Sequence, residues 1–323
     1  MKLIVTGSIA FDYLMSFPGK FSDHFLTDKL DSISVSFLVD SLNKRKGGCA
    51  ANIAYNLSLL GESPLLVGTA GKDFGEYRAA LEKAGVDTSG VKIINEEYTA
   101  SFFANSDQDG NQIASFYPGA MKFAKDISLK ELELDSETLV IISPNDPEAM
   151  VRYTKECQGM HIPFIYDPGQ QIVVLKRDVL REGIRGAKVF ILNDYEFEMF
   201  RKKTNLELEK ILEFSEIVII TRGRNGSIIH TRKSTIEIPV VPPLRVLDPT
   251  GVGDAYRAGF VKGLIHGFSL EIAGRMGSLA ATYVLETEGP QSHSYDLKEF
   301  VERYCHVFGK SEEGGKLLKT KLL

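Results

Sequence analysis

Several features are absent from this chain of 323 residues, and each absence excludes a class of protein. The three cysteines, Cys49, Cys157 and Cys305, are far apart and odd in number, so we expect a reducing, cytoplasmic location without a disulfide framework. No apolar run reaches membrane-spanning length and no signal layout precedes the first predicted strand, so no membrane partner is expected. The six histidines lack ligand spacing, which predicts no zinc site.

Positive charge is also scarce. The chain has 38 Lys and Arg against 43 Asp and Glu, a formal net charge of −5. Because no long basic stripe is present to neutralise a phosphate backbone, we expect no nucleic-acid partner. The short cluster Lys44-Arg45-Lys46 is interpreted as a solvated loop, although it could meet a substrate phosphate.

Short apolar runs alternate with helical patterns along most of the chain. This order predicts a doubly wound α/β fold, in which helices flank a mostly parallel sheet. The run Ile217-Val218-Ile219-Ile220 is apolar at every position, as a strand covered on both faces must be. The predicted strands are 3–8, 64–69, 138–143, 162–166, 188–192 and 217–221, and the predicted helices are 50–60, 74–84, 252–266, 270–286 and 296–308.

Two segments break this alternation. Residues 91–120 carry a turn signal at 107–111 between two strand patterns, and residues 13–46 contain the alternating run 32–37. We interpret them as one discontinuous β lid over the site, with two unrelated surface loops as the alternative. The predicted division is an α/β core of residues 1–12, 47–90 and 121–323 and a small lid of residues 13–46 and 91–120.

The segment Asp248-Pro249-Thr250-Gly251-Val252-Gly253-Asp254 leads into a predicted helix and carries the main chemical signal. Gly251 and Gly253 free the backbone to direct N–H groups at an anion, and the helix N-terminus adds a partial positive charge there. Asp254 places a proton acceptor beside this anion site, the combination that phosphoryl transfer to a hydroxyl requires. The alternative is an Asp that caps an ordinary helix.

Two weaker patterns point to a sugar-like ligand. Gly47-Gly48 opens a helix on which Asn52 could hydrogen-bond a diol, and the alternative is a glycine turn before a packed helix. Asp12 follows the first predicted strand, where a carboxylate could accept bonds from vicinal hydroxyls; the alternative is a surface Asp.

Two further patterns point to a nucleotide. The segment 221–226 suits a turn against polyphosphate or an ordinary hairpin. Asn193 and Glu196 share a helical face and could hold a hydrated Mg²⁺ near phosphates, or form a capping box. The Walker A pattern fails because Gly71-Lys72 is not followed by Ser or Thr, and the dinucleotide fingerprint also fails. A P-loop kinase and a Rossmann dehydrogenase are therefore disfavoured.

Taken together and in this order, the motifs resemble those of the ribokinase-like (PfkB) family of carbohydrate and nucleoside kinases over nearly the whole chain. The resemblance implies ATP with Mg²⁺, and it leaves open whether K⁺ binds near Asp248 and Thr250. It implies Asp254 as the base, with Gly251, Val252 (where the family usually has Ala) and Gly253 as anion-hole amides; Asp12, Gly48 and Asn52 at the substrate; Asn193, Thr221, Arg222, Gly223 and Gly226 at ATP; and Glu196 orienting metal-bound water.

Within the family the chain is most similar to archaeal-type nucleoside and adenosine kinases, through residues 167–170, 248–250 with 256–260, and 112–120. This likeness implies a nucleoside 5′-hydroxyl as acceptor, and Gln170 is expected among the substrate contacts. Because aromatic ring faces stack on purines, Phe103 and Phe116 of the lid are the candidates for a platform under the base. Both rings could instead form the covered face of the lid. A free-sugar kinase and a non-catalytic nucleoside-binding regulator are the competing functions, and the assembly is a monomer or a lid-mediated homodimer.

Overall fold

A large sheet and a smaller one organise the chain, which a computed structural model describes over residues 1–25 and 31–309; residues 26–30 of the predicted lid lie outside this part. The strands are β1 (Lys2–Thr6), β2 (Ala10–Ser16), β3 (Ser41–Gly47), β4 (Leu65–Gly71), β5 (Val91–Ile94), β6 (Ala100–Ser106), β7 (Gln112–Tyr117), β8 (Thr138–Ile142), β9 (Phe164–Tyr166), β10 (Val189–Asn193), β11 (Ile217–Thr221), β12 (Ser227–Thr231) and β13 (Thr235–Ile238). The helices are α1 (Cys49–Leu59), α2 (Gly75–Ala84), α3 (Pro147–Met160), α4 (Arg177–Gly183), α5 (Asp194–Thr204), α6 (Leu208–Phe214), α7 (Val252–Ile265), α8 (Leu270–Leu285) and α9 (Leu297–Phe308). Among the helices so described, none combines the length and the hydropathy needed to cross a bilayer.

The large sheet has nine strands in the order β13-β12-β11-β10-β9-β8-β1-β4-β5. The strands from β11 through β5 in this order pair in parallel, and β12 and β13 add an antiparallel edge. The doubly wound, mostly parallel sheet predicted from the sequence is therefore confirmed. The strand order reverses beside β1, and open α/β sheets bind ligands outside the carboxyl ends of the strands at such a point.

The core lies on both faces of this sheet. In β1, Leu3 and Val5 belong to one buried apolar cluster and Ile4 belongs to another. The same alternation in β11 sends Ile219 to the first cluster and Val218 to the second. Every side chain of a strand with both faces buried lies in the core, and this is why these strands are continuously apolar in the sequence.

The small sheet has four strands in the order β3-β2-β6-β7. The hairpin of β6 and β7 lies where the turn signal predicts it, and β2 pairs in parallel with β6. The alternating run 32–37 forms no strand in this described part of the chain; Phe37 instead packs its ring against Phe17 and Phe21. On its other side β2 pairs antiparallel with β3 and not with the run 32–37.

The sequence indicates a solvated loop at Lys44-Arg45-Lys46, and the structure corrects this interpretation. The three residues lie inside β3, and the Lys44 ammonium lies 3.8 Å from the centroid of the Phe11 ring. Arg45 forms an ion pair with Asp248. A basic cluster in a strand alternates between the two faces, so its neighbours on each face decide its contacts.

Candidate active site

The segment Asp248–Gly253, here called the anion loop, leads into α7. Gly251 precedes the first helical residue with φ of +81°, in the left-handed region that favours glycine. Among the described residues, the backbone amides of Gly251, Gly253 and Asp254 have no hydrogen-bond acceptor, whereas the amide of Val252 donates to the Pro249 carbonyl at 3.3 Å. Unpaired amides at a helix N-terminus form a site for an anionic group.

Asp254 lies in the first turn of α7, beside these amides. Its Oδ2 accepts a hydrogen bond from Asn52 Nδ2 at 2.8 Å. Burial raises the pKa of Asp254 to about 7, against the opposing effects of Arg257 and of the Asn52 hydrogen bond. A carboxylate with a pKa near neutrality is suited to accept a proton from a hydroxyl during reaction.

Asn52 lies in α1 and has both ends of its amide engaged. Its Oδ1 accepts from Gln291 Nε2 at 2.9 Å, which turns its Nδ2 toward Asp254. Gln291 also donates to the Tyr77 hydroxyl, and that hydroxyl donates to the Gly47 carbonyl at 2.9 Å. Gln291 and Tyr77 were not predicted as site residues, because only the fold brings their distant segments to Asn52.

Arg257 and Asp167 form a buried ion pair beneath the anion loop, and sequence reasoning missed both as site residues. Arg257 Nη2 donates to Asp167 Oδ1 at 2.6 Å, and Arg257 Nη1 donates to the Gly253 carbonyl at 2.9 Å. The Asp167 side chain is 1% exposed and directly follows β9. The available signal was Arg257, a charged residue that the sequence places among the apolar and small residues 255–261 of α7.

The carboxylate of Asp12 lies against the glycine turn that opens α1. A Cβ on Gly47 would lie 2.6 Å from Asp12 Oδ2, and one on Gly48, whose φ is +93°, would lie 2.5 Å from the Ser8 carbonyl oxygen. A glycine is therefore required at residue 48, where the added carbon would meet the backbone of residues 8–10. Burial raises the pKa of Asp12 to about 6, and Arg45 opposes this shift.

Asp12 belongs to a row of side chains that crosses the small sheet. The strand register aligns Arg45, Asp12, Phe102 and Phe116 as direct neighbours on β3, β2, β6 and β7. Directly paired residues point to the same face of a sheet. Because Arg45 pairs with Asp248 of the anion loop, this face of the small sheet is the one turned toward that loop.

Phe103 lies in the next row, on the opposite face. It pairs in register with Tyr13, and the two rings stack with centroids 4.8 Å apart. The expected platform of Phe103 and Phe116 therefore does not form on one face, because adjacent strand residues alternate and Phe116 is paired with Phe102. Phe102, and not Phe103, is in register with Asp12 and Phe116, and the sequence alone does not show which of these two neighbours lies on that face.

Asn193 and Glu196 form a capping box at the start of α5. The Glu196 amide donates to Asn193 Oδ1 at 2.8 Å, and the Asn193 amide donates to Glu196 Oε2 at 2.8 Å. The pKa of Glu196 is raised, mainly by burial and then by the nearby charge of Asp167. A divalent cation would relieve this excess of negative charge, and Glu196 Oε1 accepts no hydrogen bond from the described residues. These oxygen atoms therefore fit a hydrated cation whose direct ligands come mainly from a bound molecule and not from the protein.

The segment 221–226 forms the turn between β11 and β12. Thr221 pairs in register with Asn193 on the neighbouring strand, so both lie at the carboxyl edge of the sheet. The Arg222 amide donates to the Gly226 carbonyl at 2.7 Å, and Gly223 is exposed. Gln170 is also exposed, in the 3-10 turn after β9. The ligand roles of these residues stay predictions.

A doubly wound sheet with an anion loop and an adjacent carboxylate defines, as a class, a phosphotransferase that acts on a hydroxyl group. Residues 23–296 match the signature described as "pfkB family carbohydrate kinase". The chain belongs to this family, and membership implies ATP, generally with a divalent metal.

Similar proteins cover almost the whole chain. The nucleoside kinase of Methanocaldococcus jannaschii is 32% identical over 304 residues, 94% of this chain and 96% of that protein. Its crystal structure superposes with a TM-score of 0.84 and covers 94% of this chain and 97% of that chain. The structure of Burkholderia thailandensis nucleoside kinase in complex with inosine has a TM-score of 0.85 at 36% identity, covering 96% of this chain and 99% of that one.

Proposed function

We propose that this protein transfers the γ-phosphoryl group of ATP to the 5′-hydroxyl of a nucleoside. One observation carries the proposal: Asp254, with a pKa raised by burial to about 7, lies beside backbone amides that lack acceptors among the described residues. The choice of a nucleoside is supported by relatives that are named nucleoside kinases and by Phe102 and Phe116, which are in register with Asp12.

In the proposed reaction, Asp254 takes the proton from the 5′-hydroxyl as that oxygen attacks the γ-phosphorus in line with the leaving group. The amides of Gly251 and Gly253, at the N-terminus of α7, stabilise the charge on the transferred group. Arg257 favours the ionised form of Asp254 and holds the Gly253 carbonyl. Positioning and charge stabilisation supply most of the rate in phosphoryl transfer.

Mg²⁺ is the proposed divalent cation, and it neutralises phosphate charge when bound with ATP. Glu196 would hold it through water, next to Asn193 and Thr221 at the edge of the sheet. No group of three or more His, Cys, Asp or Glu side chains suited to a metal occurs in residues 1–25 and 31–309, which agrees with a cation carried mainly by the nucleotide. The ATP roles of Arg222 and Gly226 rest on the resemblance alone.

The function is tested by ATP consumption with Mg²⁺ over adenosine, inosine, guanosine, cytidine, ribose and fructose, with ³¹P NMR of the product. We expect turnover with one or more nucleosides, none with the free sugars, and a phosphate ester at the 5′ position. Turnover with a free sugar alone would replace the proposal with a sugar kinase. Binding of nucleosides without ATP consumption would favour a non-catalytic regulator.

The pH dependence of kcat/KM should follow the ionisation of Asp254. The base is active when ionised, and the pKa of its carboxyl is about 7, so activity is lost as the pH falls through this value. We expect kcat/KM for the nucleoside to drop about tenfold between pH values about one unit above and one unit below the pKa. A flat profile across this range, with the protein still folded by circular dichroism, would contradict Asp254 as the base.

Substitution of Gly251 should damage the anion loop specifically. A Cβ at residue 251 would lie 2.4 Å from Pro290 Cβ, in addition to the strain of its positive φ. We expect Gly251→Ala to reduce kcat roughly 10- to 100-fold and to weaken ATP binding, since the amides must move. The matched control is Gly267→Ala, at φ of +70° with nothing within 4 Å of the added carbon. Equal losses in the two variants would leave only backbone strain as the cause.

Phe116 and Phe103 provide a matched pair for testing base stacking. Both rings are partly exposed, at 51% and 38%, but only Phe116 shares a face with Asp12. Stacking on a base is worth roughly 1–3 kcal/mol, so we expect Phe116→Ala to raise the nucleoside KM by about tenfold or more. Phe103→Ala should leave this KM near the wild-type value. The reverse result would assign the base to the Phe103 face.

The small sheet of β2, β3, β6 and β7 is proposed to be the substrate lid. The predicted bounds need correction at two places, because residues 91–94 form β5 of the large sheet and β2 of the small sheet begins at Ala10. Its edge strand β7 is exposed at all six residues and could pair with a second subunit, so a lid-mediated homodimer competes with a monomer. Sedimentation velocity of the full chain distinguishes the two. A cytoplasmic location is proposed because the reaction requires a compartment that supplies ATP and Mg²⁺.

A further inference from the structure

Asp248, the first residue of the anion loop, joins three segments of the chain. Its Oδ1 accepts from the Thr250 amide at 2.9 Å, and its Oδ2 accepts from the Gly289 amide at 3.1 Å. Arg45 Nη1, from β3 of the small sheet, donates to the same Oδ2 and forms an ion pair with it. The side chains of Arg45 and Asp248 are only 22% and 13% exposed, so this pair is shielded from bulk water.

These contacts do not fit a monovalent cation at Asp248 and Thr250, which the family resemblance leaves open. Hard cations need oxygen ligands with lone pairs directed at them. Both carboxylate oxygens of Asp248 already accept backbone hydrogen bonds, and Oδ2 also faces a guanidinium. A second positive charge there would be repelled by Arg45.

The position of Arg45 is well defined by its surroundings. Its Cδ lies 3.1 Å from the place of a Cβ on Gly289, so its stem packs closely against the backbone of that residue. Its Nη2 lies 3.4 Å from Glu288 Oε2. In the row across the sheet it is the direct neighbour of Asp12, whose carboxylate is repelled by that of Asp248. Arg45 is thus the cation between two acidic groups of the site.

We infer that the Arg45 guanidinium takes the place of a monovalent cation at Asp248 and thereby fixes the anion loop to the small sheet. Arg45 is a positioning residue: it acts through Asp248, and the Thr250 and Gly289 amides transmit its effect to both loops. A guanidinium suits this task because its planar set of N–H donors can bind two carboxylates at once, here those of Asp248 and Glu288. The inference rests on the proposed kinase function only for its activity assay.

Chemical rescue tests the charge and shape of the missing group. We expect Arg45→Ala to lower kcat roughly 100-fold through displacement of the anion loop. Guanidinium at concentrations well below those that unfold proteins should raise turnover of this variant several-fold, whereas urea, its neutral analogue of similar shape, should not. Lys44→Ala is the control, because Lys44 is the adjacent strand residue on the opposite face. Rescue by urea equal to that by guanidinium would overturn the inference.

Exchange of the monovalent cation tests the wild-type protein directly. Replacing K⁺ by tetramethylammonium at constant ionic strength should change neither turnover nor the midpoint of thermal unfolding. Loss of turnover or of thermal stability on removal of K⁺ would overturn the inference. If Arg45→Ala does not fold, this exchange decides the question alone. If the wild type phosphorylates no nucleoside, the proposed function fails, and the unfolding midpoint still tests the cation.

Discussion

We expect Asp254→Asn to lower kcat about a thousandfold while nucleoside and ATP still bind, because a general base typically contributes 10²- to 10⁴-fold. The amide that replaces the carboxylate keeps its size and an oxygen for the hydrogen bond from Asn52 Nδ2, which lies 2.8 Å from Oδ2. It has no capacity to take the proton of the acceptor hydroxyl. Turnover by a coupled assay and dissociation constants by calorimetry separate the chemical step from binding.

The matched control for this variant is Asp178→Asn. Asp178 is an exposed residue in the first turn of α4, so the same change of charge occurs away from the anion loop. Its kcat should equal that of the wild type. If Asp254→Asn retains near-normal turnover, proton removal is carried out by another group or by water, and the assignment of the base is wrong.

Removal of Arg257 should produce the largest loss of stability. Arg257→Met leaves Asp167, which is 1% exposed, as a buried carboxylate without its cation. Breaking a buried pair in this way costs about 3–5 kcal/mol of unfolding free energy. Urea denaturation measures the loss. Arg201→Met is the control, because the ion pairs of Arg201 with Glu198 and Glu207 lie at the surface and are worth about 1 kcal/mol or less.

A second substitution shows whether the cost comes from the unpaired charge. In Arg257→Met/Asp167→Leu neither charge remains, so much of the stability lost in the single variant should return. An equal or larger loss in the double variant would mean that packing around the guanidinium, and not its charge, stabilises the fold.

The Arg257→Met variant also reports on the base. Arg257 lowers the pKa of Asp254, so its removal raises that pKa and moves the acid limb of kcat/KM to higher pH. Ionisation of ATP itself would not move with this substitution. If the acid limb of kcat/KM lies at the same pH in the variant as in the wild type, the group that titrates is not Asp254.

The central parallel strands of the large sheet could be predicted closely because they are covered on both faces. The sequence does not predict β5, β12 and β13, which are only partly buried. The strand Ile217–Thr221 has the predicted bounds, since its apolar run ends where the chain meets the edge of the sheet. The small sheet was harder to predict, because its strands are partly polar and one-sided. Residues 32–37 alternate between polar and apolar but form no strand, whereas β3 has no such alternation and is defined by its backbone pairing with β2.

The sequence by itself determined the α/β order of elements, the glycines and Asp254 of the anion loop, and the Asn193–Glu196 spacing, because these depend on local backbone chemistry. Only the tertiary structure decided which residues meet across long separations. Asn52 is 202 positions from Asp254, and Arg45 is 203 positions from Asp248. The register of the small sheet likewise placed Phe102, and not Phe103, on the face that carries Asp12, since alternation assigns neighbouring residues to opposite faces and only strand pairing fixes which residues share a face.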